Sequence, residues 1–73
     1  MTQHERILDY MREFGSITPI EAFRDLGITK LATRVGELKR LGFTINQEAI
    51  HTKNRYGEKT SYMSYSLQEE EIL

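Results

Sequence analysis

Up to Gly42 the apolar residues of this chain return every three or four positions, and beyond it they give way to runs rich in Ile, Thr, Tyr and Phe. Thr2 with Glu5 three residues later forms a capping-box pattern, and Ile7, Leu8, Met11 and Phe14 follow at helical spacing. The pattern predicts an amphipathic helix over residues 3–13, ended by Gly15. Ser16-Ile17 reads as a short link able to form an isolated bridge to a later strand. Thr18-Pro19-Ile20-Glu21 is a second capping box with the proline at the first helical position, which predicts a helix over 19–26. Ile20, Phe23 and Leu26 are expected to face the core, Gly27 to supply a left-handed stop, and Ile28 to plug the turn. Thr29 has the chemistry of an N-cap for a third helix over 30–41, whose Leu31, Val35, Leu38 and Leu41 form one apolar stripe closed by Gly42.

Phe43 to Thr52 and Thr60 to Leu67 read as two antiparallel strands. Met63, Tyr65 and Leu67 share a parity and are expected to face the core, whereas Ile45 and Ile50 have opposite parities, which suggests a bulge between them. The connecting Lys53-Asn54-Arg55-Tyr56-Gly57-Glu58-Lys59 carries the asparagine and glycine of a hairpin loop, with basic residues around its tip. Residues 1–68 are thus expected to form one α+β domain of winged helix-turn-helix architecture, three helices followed by a two-stranded antiparallel wing. Residues 69–73 are expected to form a flexible acidic tail, since Glu69, Glu70 and Glu71 repel one another.

A chain of 73 residues can build only one core, and with 38% hydrophobic and 29% charged residues it is expected to be folded and soluble. Without cysteine it has neither disulfides nor a thiolate zinc site to supplement that core. No secretory leader or membrane-spanning run is visible, so a cytoplasmic protein is expected. His4 and His51 stand apart from any metal-ligand spacing, and no phosphate loop or nucleophile motif occurs. The reading is therefore of a protein that is not an enzyme and takes no metal or cofactor.

The net charge of −1 argues against a nucleic-acid partner until its distribution is considered. Residues 1–29 carry −2 and residues 60–73 carry −3, while residues 30–59 carry +4. On the third helix Thr29, Lys30, Thr33, Gly36, Glu37 and Arg40 project away from the apolar stripe, with Arg34 on its flank. Such a helix fits the major groove of double-stranded DNA, and a basic hairpin can hold the flanking backbone. Arg34 or Arg40 is suited to donate bidentately to guanine, Thr33 to meet a thymine methyl, and Lys30 to reach a phosphate. Lys53, Asn54, Arg55, Tyr56 and Lys59 are the wing candidates.

The run from Gly15 to Ala22, then Leu26-Gly27-Ile28, then Ala32 to Phe43, and finally Asn54-Arg55-Tyr56-Gly57, resembles the small phage and prophage winged helix-turn-helix proteins. The resemblance covers most of residues 3–67. It implies a sequence-specific DNA-binding protein, either a small transcriptional regulator or a recombination or excision accessory factor, working in a bacterial cytoplasm or on its nucleoid. The chain departs from the older helix-turn-helix pattern in one respect. Six and nine residues after Gly27 stand Thr33 and Gly36 rather than two apolar residues, so the turn is about two residues longer.

Each candidate also has a structural reading. Lys30, Lys39 and Arg40 fit the solvated face of a surface helix, and Arg34 fits a structural ion pair with Glu21, Asp25 or another acid. The wing charges Lys53, Arg55 and Lys59 fit protection of an exposed hairpin against edge pairing. Tyr56 fits packing over its own loop, and Tyr62 and Tyr65 fit ordinary sheet positions. The main rival function is a winged helix that binds a protein partner, supported by the weak overall charge and by Glu37 on the presumed reading face. The sequence favours neither a monomer nor a homodimer.

Overall fold

The computed structural model describes residues 2–68, so the expected acidic tail lies outside the described residues. Helices α1 (Gln3–Phe14), α2 (Pro19–Leu26) and α3 (Leu31–Arg40) precede strands β1 (Thr44–Lys53) and β2 (Lys59–Gln68). Capping explains where the first two helices start. Thr2 Oγ1 accepts from the Glu5 amide at 3.2 Å, and Thr18 and Glu21 form the full reciprocal box. Gly15 and Gly27, at φ 89 and 68, close α1 and α2.

The core gathers Ile7, Leu8, Tyr10 and Met11 of α1, Ile17 of the link, Ala22 of α2, Ile28 of the turn, Leu31, Val35 and Leu38 of α3, and Ile45 and Tyr65 of the sheet. Leu26, Phe43, Met63 and Leu67 pack against it half-buried. Ile17 exchanges two backbone hydrogen bonds with Tyr65, at 2.8 and 2.9 Å, which fastens the base of the hairpin between α1 and α2. Beyond that base the hairpin leaves the body. Every residue from His51 to Tyr62 is exposed.

The structure corrects four expectations. On α2 the buried residue is Ala22, with Leu26 half-buried, while Ile20 and Phe23 are 68% and 64% exposed. In this orientation the Tyr10 hydroxyl donates to Asp25 Oδ2 at 2.6 Å, with the Asp25 side of α2 toward α1. At about 100° per residue, Asp25 lies about 60° from Ala22 but about 140° from Ile20, so Ala22 enters the core and Ile20 cannot. Second, Lys30 rather than Thr29 is the N-cap of α3, and it makes no side-chain cap bond. The Ile28 amide still bonds back to Ala22 O at 3.0 Å, so the closing turn of α2 delays the start of the next helix.

Third, Phe14 and Leu41 are exposed rather than part of the core stripes. Leu41 caps α3 outside its last turn, and the Phe43 amide bonds back to Leu38 O at 3.1 Å, so Phe43 is the residue that folds against the core. Phe14 lies against the Tyr10 ring, centroids 4.6 Å apart. Fourth, there is no bulge. The strands pair in unbroken register from Thr44 with Gln68 to Lys53 with Lys59. Ile45 therefore faces the core beside Leu67, and Ile50 sits on the outer face of the wing opposite Tyr62.

These placements set the cost of truncation. Leu38→Ala is expected to lose about 2–5 kcal/mol of stability by leaving a cavity. Phe23→Ala, on the exposed side of α2, is expected to change stability by about 0.5 kcal/mol or less. Urea melts of the two variants check the difference, and a large loss in Phe23→Ala would contradict the observed rotation of α2.

Candidate nucleic-acid interface

With Leu31, Val35 and Leu38 buried, α3 turns Thr33, Gly36 and Arg40 to the opposite side. Ala32 and Lys39 are exposed on one flank, and Thr29 and Lys30 are exposed ahead of the helix. Arg34 and Glu37 take the other flank and are engaged within the protein. Arg34 Nη1 donates to Glu37 Oε1 at 2.6 Å, and His4 Nε2 lies 2.9 Å from the same oxygen. The structural ion pair expected for Arg34 therefore exists with Glu37, one turn along its own helix, rather than with Glu21 or Asp25. Arg34 Nε is buried without a hydrogen-bond partner, so this guanidinium is held against the body rather than extended into solvent.

The His4 hydrogen bond and then the Arg34 hydrogen bond hold the Glu37 carboxyl below the usual carboxylate range. Sequence alone gives His4 no role beyond an exposed side chain. Its only signal is its place one turn before Leu8 on the buried side of α1, and the partner, 33 residues away, is not legible.

A second polar cluster holds α2. Asp25 accepts from Tyr10 and also from Arg24, whose Nε and Nη2 reach its two oxygens at 2.8 and 3.1 Å. The Arg24 and Tyr10 hydrogen bonds hold the Asp25 carboxyl down to about 2. The bond to Asp25, with burial, pushes the Tyr10 phenol up to about 12, so it remains a donor. Sequence reasoning does not single out Tyr10 as a structural residue. The available signal is a tyrosine on the buried side of α1, whose hydroxyl needs a partner.

The wing tip is built by Asn54. Its Oδ1 accepts from the amides of Tyr56 and Glu58 at 2.9 and 3.1 Å, and its carbonyl accepts from Gly57, which sits at φ 77. Asn54 is thus occupied by the turn it makes. Arg55 and Tyr56 project from the tip, and Tyr56, 78% exposed, does not pack over the loop.

Lys53 stands directly opposite Lys59 in the register, and His51 shares their face of the sheet. These three, with Thr52 and Thr60, line a recess of about 390 Å³. Like charges opposed across a strand pair weaken it, and here they concentrate positive charge on one face of the wing. The base of the wing is tied to α3, because Lys39 Nζ donates to Gln47 Oε1 on β1. The base of the wing is thereby held against the end of α3, and the basic residues lie further out, toward the wing tip.

Three helices, the last with a polar and basic outer face, followed by a basic two-stranded wing, define a winged helix-turn-helix domain. A family model described as a winged helix-turn-helix domain matches residues 2–70, and the chain belongs to that family. Domains of this kind are in general DNA-binding modules rather than enzymes. No curated protein and no solved structure matches the chain significantly. Among the described residues, no helix is long and apolar enough to cross a membrane.

The Glu37 cluster predicts an acid-side loss of stability. A carboxylate held low in the folded state contributes stability above its unfolded value of 4.5, and that contribution is lost as the pH falls through the folded value. Glu37→Gln should therefore be less stable than wild type at neutral pH and lose less on acidification below pH 4.5. Urea midpoints measured across the acid range check this, and parallel curves for the two proteins would contradict it.

Proposed function

We propose that the chain binds double-stranded DNA sequence-specifically, with the exposed face of α3 in the major groove and the wing on the flanking backbone. The observation that carries this reading is the placement of charge. Residues 30–59, which hold α3 and the wing, carry +4 in a chain of net charge −1, and the base of the wing is tied to α3 through Lys39 and Gln47. Arg40 is the side chain suited to guanine, Thr33 to a thymine methyl, and Thr29 and Lys30 to a phosphate at the start of the helix. Lys53, Arg55 and Lys59 hold the backbone, with Tyr56 beside them at the tip. Arg34 and Glu37 support the reading face by orienting α3 against His4. The role is that of a small phage-type transcriptional regulator or a recombination or excision accessory factor in a bacterial cytoplasm, with no catalytic step and no cofactor.

A second reading, a winged helix that docks on a protein partner, draws on Ile20 and Phe23, which stand exposed together on one side of α2. Titration of the protein against a selected DNA site and a scrambled duplex separates the two. Lys53→Gln or Lys59→Gln is expected to weaken binding to both duplexes alike and to lower the salt slope by about one unit for each phosphate no longer neutralised. Arg40→Ala should cost roughly 1–3 kcal/mol on the selected site and much less on the scrambled one. Absence of binding to any duplex at low salt would remove the DNA reading and favour the protein partner. Equal losses on both duplexes for Arg40→Ala would remove α3 as the reader.

A further inference from the structure

The exposed face of α3 contains a glycine that nothing inside the protein requires. Gly36 is an interior residue of a ten-residue helix, where glycine lowers helix stability relative to alanine. Two intramolecular reasons ordinarily justify such a residue, and neither holds. Its φ is not positive, unlike those of Gly15, Gly27, Gly42 and Gly57, so the backbone does not demand it. A Cβ placed on it meets no atom within 4 Å, so no neighbouring element of this chain approaches too closely for a side chain. The bare Cα, itself half-buried, lies one turn from both Thr33 and Arg40 and about 45° from the point opposite Leu31, Val35 and Leu38.

We propose that Gly36 is a specificity-determining residue, whose missing side chain lets the backbone of α3 approach the base-pair edges at the centre of the bound site. This inference rests on the DNA reading above and adds the depth at which the helix sits. A helix with a side chain at this point stands off the groove floor, and Thr33 and Arg40, one turn to either side, then reach the base edges less well. Phosphate contacts from the wing are longer and more adaptable, and tolerate that displacement. The fold thus gives up helix stability at the one position where an incoming surface comes nearest.

The test is the sign of two effects in one variant. Gly36→Ala is expected to raise Tm by about 4–8 °C, because the methyl group meets only open space and favours the helix. The same variant should bind the wild-type selected site at least about tenfold more weakly, while scrambled duplex is bound within about twofold of wild type. Gly36→Ser, with a larger side chain, should show an equal or greater loss on the selected site. Selected-site affinity equal to wild type in Gly36→Ala would overturn the inference, and if Arg40→Ala still loses that affinity the DNA reading stands without it. A fall in Tm would also overturn it, by revealing an internal contact. Failure of the wild type to bind any duplex would overturn both the inference and the reading beneath it.

Discussion

The two backbone hydrogen bonds between Ile17 and Tyr65 are the joint on which the arrangement depends. A two-stranded hairpin is only marginally stable alone in water, and this one projects half its length into solvent. Ile17 gives β2 a short second partner beside β1, and both side chains are buried, so pairing and apolar packing act at the same point. Because Ile17 lies in the link between α1 and α2, the joint also fixes where the wing leaves the helices. Ile45 and Leu67 close the same layer from the sheet side, and the Lys39 bond to Gln47 carries the constraint to the end of α3.

Helix α1 also makes polar contacts with the other two helices at the edge of the core. The Tyr10 hydroxyl bonds to Asp25 on the same side of α2 as the buried Ala22. Burial of Leu31, Val35 and Leu38 turns Thr33, Gly36 and Arg40 outward on α3, and His4 engages Glu37, which in turn holds Arg34 on its flank. The overall charge of −1 conceals an uneven distribution. The Arg24–Asp25 and Arg34–Glu37 pairs each cancel within themselves, and residues 30–59 carry +4 whether or not Arg34 and Glu37 are counted.

Most of the architecture is legible in the sequence because its signals are local. Capping boxes, left-handed glycines and the change from helical to strand composition depend on neighbours within a few residues, and they locate all five elements to within about two residues. The errors arise where the outcome depends on a distant partner. Ile20 and Phe23 read as core because they are large, yet α2 turns Ala22 inward and bonds through Asp25 to Tyr10, on another helix. The bulge follows from requiring both Ile45 and Ile50 to be buried, but a projecting wing has two exposed faces, and Ile50 stands opposite Tyr62 on the outer one. At the candidate site, Thr29, Lys30, Thr33 and Arg40 fall on or beside the open face as helical projection indicates. The same projection places Arg34 and Glu37 correctly by angle but is silent on their engagement with His4, since no spacing rule links residues 33 apart.

The outer face of α3 and the wing tip are together proposed to meet the duplex. Amide chemical-shift mapping of the labelled protein during titration with a short duplex tests this most directly, because it reports every face of the molecule at once. Perturbations are expected to concentrate at Thr29, Lys30, Thr33, Gly36 and Arg40 and from Lys53 to Lys59, with Ile20, Phe23 and the outer face of α1 unchanged. Perturbations centred on Ile20 and Phe23, with α3 and the wing tip silent, would contradict it.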